Sequence, residues 1–494
     1  MVSCFSHPGR GRPHREIRVI GWLYLSLEWL IRLAMLPVVT RRRRTSSAVA
    51  WLAVIFFLPV VGLVLYLIFG GRRLGRGSAR SHAQATERIA ALRPRFEARP
   101  DVRDPVIRSH RADLAHLAFE AGRMRPLGGN EASFIGDTQI LLDRLVEDID
   151  AARHHVHLLY YIFRDDDSGR RVSEALTRAV ARGVQARLLV DAVGSRPMLG
   201  SLAPHLRKAG VLVRPTLPAS ILRAALQRID LRNHRKIAVI DARTAYSGSQ
   251  NIADADYGHK RLGAWEDLSV RLTGPAVLQL QEVFLHDWYF TTGEVLDDPA
   301  YLREHDDSEL AGDLVVQTVP SGPDYPDDAF LMFTLAAIQE AHERISITSP
   351  YFIPDESVVL ALRVAAMRDL KVDVIVPART DNALVNAAAR SYYADLLEAG
   401  VRIHLHQRGL LHAKSMTVDD DLAVIGSANL DMRSFHLNFE VTQVFYGVSA
   451  AEKLQIEHAR YVSESVPLLA DQWRNRPRTV QIADNIARLF SPLL

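Results

Sequence analysis

The sequence predicts an α/β fold, in which a bilobal body of two repeated mixed-sheet lobes with pseudo-twofold symmetry follows an N-terminal transmembrane hairpin. Three observations predict this architecture. Two long apolar runs lie near the N-terminus, apolar strands alternate with amphipathic helices from about residue 126, and one strand–helix–strand unit occurs twice in the same order. At 494 residues, the chain is long enough for more than one domain.

Two apolar runs predict the hairpin. Residues 48–69 contain no charged residue and are long enough to cross a hydrocarbon core of about 30 Å. Residues 17–39 include Glu28 and Arg32, whose i,i+4 spacing allows a pairing that offsets part of the cost of a charge in the membrane. An interfacial helix is the alternative for this earlier run. We expect two membrane-spanning helices, which make residues 1–71 a membrane anchor.

Arginines flank this anchor on both sides and also form its loop, Arg41–Arg44. A hairpin places both outer flanks on one side of the membrane, and their arginines outnumber those of the loop. The positive-inside rule therefore favours a multi-pass protein with a cytoplasmic body. A cleaved signal peptide is disfavoured because there are two runs and the second is too long for one.

Composition excludes two other classes of protein. The formal net charge is +3, from 60 basic and 57 acidic residues, which is too balanced to indicate a nucleic-acid-binding protein. The single cysteine, Cys4, cannot form an intramolecular disulfide, so nothing indicates a disulfide-stabilised extracellular scaffold.

The body contains an internal repeat. The first copy runs from the strand HVHLLYYIF to TAYSGSQNIAD, and the second runs from RISITSPYFI to LAVIGSANLDM. We place the first lobe at residues 126–295 and the second at residues 310–494, after a linker and helical segment at residues 72–125. In such a repeat, sites at matching positions can meet at the interface between the lobes.

Each copy carries a short strand that begins with His-x-Lys, in HRKIAVID and HAKSMTVD. Side chains alternate faces along a strand, so the histidine and lysine of each motif point the same way. The aspartate at the end points oppositely, so we expect it to stabilise the turn that ends the strand. The motif residues are His234, Lys236 and Asp241 in the first copy and His412, Lys414 and Asp419 in the second.

A Gly-Ser-x-Asn segment follows each motif at the same spacing. A strand that ends this way allows close backbone approach and exposes N–H donors, which suits an anionic phosphate. The predicted phosphate-binding residues are Ser249, Asn251, Ser427 and Asn429.

Two histidines provide what phosphodiester exchange requires. One attacks phosphorus to give a phosphohistidine, while the other protonates the leaving oxygen and later deprotonates the acceptor alcohol. A nucleophilic histidine also needs an acceptor on its far ring nitrogen. The candidates are Glu266 in WEDLSV and Glu440 in NFEVTQ, for which a charge on a strand surface is the alternative.

No metal or other cofactor is expected, because the two lysines can balance the phosphate charge. The HLH segment, His404–His406, raises the possibility of a metal site. Ordinary strand polarity is the better interpretation, because no cysteine or acidic ligand cluster accompanies these histidines in the sequence.

The doubled HxKxxxxD and GSxN pattern resembles the phospholipase D superfamily, and its flanking strings are similar to bacterial cardiolipin synthases. The resemblance implies that the histidines and lysines of both motifs form the catalytic centre, that the asparagines line the phosphate site and that His234 is the nucleophile. It counts Asp241 and Asp419 as motif members.

The implied reaction transfers a phosphatidyl group between two phosphatidylglycerol molecules to give cardiolipin and glycerol. The implied location is the bacterial inner membrane, with phospholipids as substrates. The alternatives are a membrane-bound phospholipase D hydrolase, another phosphatidyltransferase of the superfamily and, remotely, a non-catalytic scaffold. The pattern says nothing about oligomeric state. SILRAALQRIDL, just before His234, could line an entrance that excludes water, although an ordinary core-facing helix is the better interpretation.

Overall fold

In the computed structural model, apolar helices come first along the chain and a long mixed sheet follows. The structure describes residues 13–41, 45–70, 84, 87–89, 91, 102, 105–218, 230–258, 263–296, 301, 312–323, 325 and 328–491. The chain divides into two compact units, one of residues 1–75 and 219–230 and one of residues 76–218 and 231–494. The predicted entrance segment SILRAALQRIDL lies almost wholly outside the described residues.

The helices of eight or more residues are α1 (Pro13–Thr40), α2 (Thr45–Phe57), α3 (Pro59–Phe69), α4 (Ala112–Gly122), α5 (Thr138–Ala151), α6 (Asp167–Ala181), α9 (Ala276–Thr292), α10 (Ala329–Gln339), α11 (Glu356–Met367), α12 (Ala383–Arg390), α15 (Val448–Ser463) and α17 (Arg478–Arg488). The shorter helices are α7 (Arg196–Gly200), α8 (Leu202–Lys208), α13 (Tyr393–Glu398), α14 (Met432–His436) and α16 (Ala470–Arg474), with a 3-10 turn at Ser109–Arg111.

The strands of the first repeat are β1 (Leu127–Ile135), β2 (His155–Tyr160), β3 (Gln185–Asp191), β4 (Leu212–Thr216), β5 (Lys236–Ile240), β6 (Thr244–Gly248), β7 (Trp265–Glu266) and β8 (Ser269–Thr273). Those of the second are β9 (Leu314–Ser321), β10 (Arg344–Thr348), β11 (Phe352–Ile353), β12 (Lys371–Pro377), β13 (Arg402–His406), β14 (Leu410–Leu411), β15 (Ser415–Val418), β16 (Leu422–Gly426), β17 (Leu430–Asp431), β18 (Glu440–Tyr446) and β19 (Ser465–Pro467).

In the N-terminal unit, one described helix is long and apolar enough to cross a membrane, namely the Gly21–Thr40 part of α1. The expected pair is present, with Arg32 and Glu28 3.1 Å apart. The second predicted span, residues 48–69, is divided between α2 and α3. It breaks at Leu58, where φ is −132° and ψ is 70°, because Pro59 has no N–H to donate and its ring clashes with the preceding turn.

Each half of the body forms seven strands of one 15-stranded sheet, in matching order. The first half reads β4-β3-β2-β5-β6-β8-β1 and the second reads β13-β12-β10-β15-β16-β18-β9, with β19 added beside β13. In each half the outer three strands are parallel and the strands that carry the motif are antiparallel to their neighbours. The two halves join where β1 and β9 pair antiparallel.

Registers confirm that the halves are copies. Val156 pairs with Ile240 in the first half, and Ile345 pairs with Val418 in the second. These positions correspond in the sequence repeat, so both motif strands are held in the same way. A pseudo-twofold relation follows, in which the two motifs enter the interface from opposite sides.

The stretch before the first lobe contributes to the core of the second half. Leu114 and Ala118 of α4 are fully buried in the same apolar cluster as Val319 of β9. Arg111, just before this helix, is buried and pairs with Asp421 at 2.9 Å. The end of the predicted 72–125 linker is therefore a packed structural helix.

Candidate active site

The two histidines lie at the boundary between the halves. The His234 N–H donates to the Phe439 carbonyl oxygen at 2.9 Å, and the His412 N–H donates to the Glu266 carbonyl oxygen at 2.8 Å. In each case the donor belongs to one half and the acceptor to the other. The backbone therefore fixes each motif strand to the opposite half just at its histidine.

Carboxylates of the opposite half also hold both imidazoles. His234 Nδ1 lies 3.0 Å from each carboxylate oxygen of Glu440, and His412 Nδ1 lies 2.6 Å from Asp267 Oδ1. Because a carboxylate can only accept, Nδ1 carries the proton and Nε2 presents its lone pair. Both imidazoles thus have Nε2 ready to attack or to accept a proton.

The prediction for Glu266 is wrong. Asp267, the next residue, contacts the histidine, whereas the Glu266 carboxylate accepts from Arg460 at 3.1 Å. Neighbouring residues in an extended segment point to opposite sides, so an error of one residue changes the partner entirely. A signal was present in the repeat, because Asp-Leu-Ser at 267–269 matches Glu-Val-Thr at 440–442.

The two serines bind these carboxylates. Ser249 Oγ donates to Asp267 at 2.6 Å and accepts from the Leu268 N–H at 2.9 Å. Ser427 Oγ donates to Glu440 at 2.5 Å and accepts from the Val441 N–H at 3.0 Å. Both hydroxyls are therefore engaged with the histidine-orienting acids, and the phosphate role predicted for these two serines stays a prediction.

The two lysines are buried in equivalent places. The Nζ of Lys236 donates to the His234 carbonyl oxygen and that of Lys414 to the His412 carbonyl oxygen, both at 2.6 Å. Burial lowers the pKa of Lys236 to about 8 and lowers that of Lys414 well below its ordinary value. Each ammonium keeps further N–H groups for an anion, which would favour its charged form.

Burial also governs the histidines. It lowers the pKa of His234 to about 4 against the attraction of Glu440, and with Lys414 it lowers the pKa of His412 to about 4. Burial opposes ionisation of Asp267, but His412 and Lys414 outweigh it and bring its pKa to about 2. At neutral pH each pair is therefore a neutral imidazole beside a carboxylate.

Comparison with known proteins places this geometry in a family. A family model described as cardiolipin synthase, PLD-like domain, matches residues 145–288 and 334–461, and one described as phospholipase D-nuclease N-terminal matches residues 29–71. Cardiolipin synthase A of Serratia proteamaculans (strain 568) is 35% identical over 488 residues, which cover 96% of this chain and 99% of the relative. The chain belongs to the cardiolipin synthase family.

Other matches agree with this membership. A cardiolipin synthase of Geobacillus sp. (strain WCH70) is 34% identical over 485 residues, covering 97% of this chain and 95% of the relative. The crystal structure of a phosphatidylserine synthase from Haemophilus influenzae Rd KW20 superposes with a TM-score of 0.60 at 14% identity, covering 78% of this chain and 100% of that one. The predicted phospholipase D-type family, two-lobed α/β fold and phosphatidyltransferase class are confirmed.

In this cardiolipin synthase family chain, the asparagines of the two halves differ. Asn251 is engaged at both ends, because Nδ2 donates to the Tyr257 hydroxyl at 2.9 Å and Oδ1 accepts from the Ile162 N–H at 3.2 Å. Asn429 Nδ2 donates to Asp431 at 2.8 Å, while its Oδ1 has no partner among the described residues. The phosphate role predicted for both stays a prediction.

Both motif aspartates lie in turns that leave the site. Asp241 accepts from three successive backbone N–H groups, residues 153–155, at 2.7 to 2.8 Å. Asp419 accepts from the equivalent groups, residues 342–344, at 2.8 to 3.1 Å. Both have a left-handed backbone, with φ of 52° and 54°. They anchor the start of β2 and β10, as strand parity predicts.

Three further residues shape the site. The ring of Tyr161 stands edge-on to His234 with centroids 4.8 Å apart, and that of Trp265 stands edge-on to His412 at 4.7 Å. Arg235, buried inside the first motif, pairs with Asp287 at 2.6 Å and donates to the Glu440 carbonyl oxygen at 3.0 Å. The repeat gives no signal for Arg235, because Ala413 stands at its position in the second motif.

Proposed function

We propose that this chain is a cardiolipin synthase that transfers a phosphatidyl group from one phosphatidylglycerol to another, releasing glycerol. The main support for this proposal is that each motif histidine pairs with a carboxylate of the opposite half, His234 with Glu440 and His412 with Asp267. It presents two imidazole Nε2 atoms in one site, with their far nitrogens held by acids. A double displacement at phosphorus needs such a pair.

His234 is the proposed nucleophile. Its Nε2 attacks the phosphorus of the first phosphatidylglycerol, the bond from phosphorus to the glycerol headgroup oxygen breaks, and the leaving oxygen takes a proton from His412 Nε2. Glycerol leaves and a phosphatidyl group stays on His234. Arrival of a phosphate anion raises the low pKa of His412, which supplies the protonated form that this step requires.

The second half of the reaction reverses the proton movement. A free hydroxyl of the second phosphatidylglycerol gives its proton to His412 Nε2 as its oxygen attacks phosphorus, and the bond between phosphorus and His234 breaks. Cardiolipin forms and both histidines return to their starting states. The buried charges of Lys236 and Lys414 stabilise the charge that develops on the phosphoryl oxygens.

Both substrates are membrane lipids, and we propose a multi-pass anchor in the inner membrane with a cytoplasmic body. Helix α1 crosses once, and α2 with α3 returns as a bent helix. Arg32 supports this pairing because its Nε donates to the Phe56 carbonyl oxygen at 3.0 Å while its other nitrogen holds Glu28. Both charges are thereby satisfied within the hairpin, as the hydrocarbon region demands.

The test uses the full chain in vesicles that contain phosphatidylglycerol as the sole lipid. Cardiolipin and glycerol in equal amounts, followed by mass spectrometry, are expected. Phosphatidic acid without cardiolipin would indicate a hydrolase, and no turnover would reject both. Labelled donor should leave its phosphatidyl group on the wild-type chain but not on His234→Ala. Label retained on His234→Ala would move the nucleophile to another residue.

A further inference from the structure

A second cluster of ionisable side chains lies beside the segment that holds His412. His406 Nε2 and one oxygen each of Glu266 and Glu464 lie within 4.8 Å of one another. Glu266 belongs to the first half, His406 ends β13 and Glu464 follows α15 in the second half. The cluster therefore bridges the two halves, and the proposed reaction does not use it.

The imidazole of His406 is oriented toward the two acids. Its Nδ1 lies 3.4 Å from the Tyr461 carbonyl oxygen, which can only accept, so Nδ1 carries a proton. Its Nε2 lies 3.5 Å from Glu266 and 3.9 Å from Glu464 and makes no hydrogen bond to any described residue. The ring is fully buried, and its Nε2 faces the two carboxylates. A bound cation would give His406 Nε2 the partner that it lacks among the described residues.

The donor set fits a transition metal. One imidazole and two carboxylates bind Zn²⁺ at about 2.0 to 2.2 Å, which sets tetrahedral edges of about 3.4 Å. The observed separations of 3.5 and 3.9 Å are within about half an ångström of that edge. A backbone carbonyl on the far nitrogen of a histidine ligand is the usual outer contact of such a site.

Two arginines contact the same acids and would compete with an ion. The shortest contacts, from Arg460 to Glu266 at 3.1 Å and from Arg408 to Glu464 at 3.2 Å, use the oxygens that do not face His406. An ion would replace the two longer contacts to the facing oxygens, from Arg460 to Glu464 at 3.4 Å and from Arg408 to Glu266 at 3.6 Å. The Arg408 side chain is 71% exposed, so it can turn into solvent at little cost. Arg460 keeps Glu457 as a partner at 3.2 Å.

We propose that Glu266, His406 and Glu464 form a binding site for a divalent transition-metal cation, with Zn²⁺ the best match. The ion ties the two halves together beside the active site. The Glu266 carbonyl oxygen accepts from the N–H groups of His412 and Ala413, at 2.8 and 3.0 Å, and Asp267 follows it in the chain. Binding therefore stiffens the segment that positions His412 and takes no part in the chemical steps.

The test is a titration of the full chain, free of any histidine tag and stripped with a chelator, with Zn²⁺ against a chromophoric competitor. One Zn²⁺ per chain is expected. His406→Ala and Glu464→Gln should each weaken binding at least tenfold, while Arg408→Ala should tighten it because a competing cation is lost. His404→Ala is the matched control on the same strand, since His404 pairs with Asp373 at 2.7 Å, and should bind as the wild type does.

Thermal unfolding supplies an independent readout, because a ligand that binds only the folded chain raises Tm. Zn²⁺ should raise the Tm of the wild type and of His404→Ala, but not that of His406→Ala. An equal rise in His406→Ala would place the ion elsewhere and overturn the proposal, as would the lack of a stoichiometric ion or unchanged affinity in Glu464→Gln.

Discussion

The carboxylate of Asp267 in the first half holds Nδ1 of His412 in the second half at 2.6 Å. Glu440 returns the relationship by holding His234 from the second half. Neither half therefore contains both a motif histidine and the carboxylate that orients it. The repeat is a functional requirement as well as a structural one, since each copy supplies the acid that orients the other copy's histidine.

The first prediction concerns Asp267→Asn. An amide can turn its N–H₂ toward Nδ1 and so stabilise the wrong tautomer of His412, which removes the acceptor needed at Nε2. We expect the rate of cardiolipin formation to fall by roughly 10³-fold or more, because loss of a carboxylate that holds a catalytic histidine in its reactive tautomer has an effect of this size. Initial rates in phosphatidylglycerol vesicles measure it.

Glu266→Gln is the comparison that separates the two neighbouring acids. The Glu266 side chain does not touch His412, so we expect a loss below about tenfold. If Glu266→Gln were as inactive as a folded Asp267→Asn, the assignment of the orienting role to Asp267 would be wrong.

The second prediction concerns Ser249→Ala and Ser427→Ala. Each substitution removes the hydroxyl that donates to an orienting carboxylate, at a cost of about 1 to 3 kcal/mol for a buried partner left unsatisfied. We expect kcat to fall about tenfold or more with little change in KM. A selective rise in KM would instead support the phosphate-binding role that the sequence suggested for these serines.

The third prediction concerns pH and stability. Burial lowers the pKa of His234 and His412 to about 4, below the unfolded value of about 6.5, so the unfolded chain takes up protons first as pH falls. The contribution of these histidines to the free energy of unfolding is therefore fully present above about pH 6.5 and is lost as pH falls toward 4.

Thermal unfolding of the detergent-solubilised chain at pH 7.5 and at pH 5 measures this effect. Tm should be lower at pH 5 than at pH 7.5, and the difference should be smaller in His412→Gln, which lacks one of the buried histidines whose pKa is lowered. His116→Gln, on the exposed face of α4, is the control and should behave as the wild type does. A Tm difference in His412→Gln equal to that of the wild type would show that His412 does not contribute to the pH dependence of stability.

The fourth prediction concerns Asp241→Asn. Asparagine tolerates the left-handed backbone at φ of 52° but gives weaker acceptors for the three N–H groups that precede β2. We expect Tm to fall, with about 1 to 3 kcal/mol lost, and kcat to stay within about tenfold in the folded protein. His234→Ala should be inactive under the same conditions. A folded Asp241→Asn that is equally inactive would give this aspartate a direct role.

Strand parity and the repeat explain how much of this site could be predicted. The faces of His234, Lys236 and Asp241 follow from the two-residue period of one short strand, so the sequence suffices. The choice between Glu266 and Asp267 depends on how a two-residue strand from the other half is placed, which no pattern within one copy specifies; in the sequence, only alignment of Asp267 with Glu440 indicates it. The crossed pairing depends on the same long-range packing.

Long-range packing and backbone geometry also limited what could be predicted for the anchor and for the cluster of Glu266, His406 and Glu464. Hydropathy predicted an apolar hairpin, but the break at Leu58 depends on the backbone before Pro59, which a count of apolar residues ignores. The HLH segment showed no acidic partners in the sequence because Glu266 and Glu464 reach His406 from distant parts of the chain.

The fifth prediction concerns the topology of the anchor. In the proposed topology, Cys4 and Glu131 lie on the cytoplasmic side of the membrane and residue 45 lies on the other side. Three single-cysteine chains test this: the natural Cys4, and Thr45→Cys and Glu131→Cys in a Cys4→Ser background. An impermeant maleimide should label Thr45→Cys in spheroplasts and the other two only in inverted vesicles. Labelling of Thr45→Cys and Glu131→Cys from the same side would mean that α2 and α3, because of the break at Leu58, enter and leave the same face of the membrane.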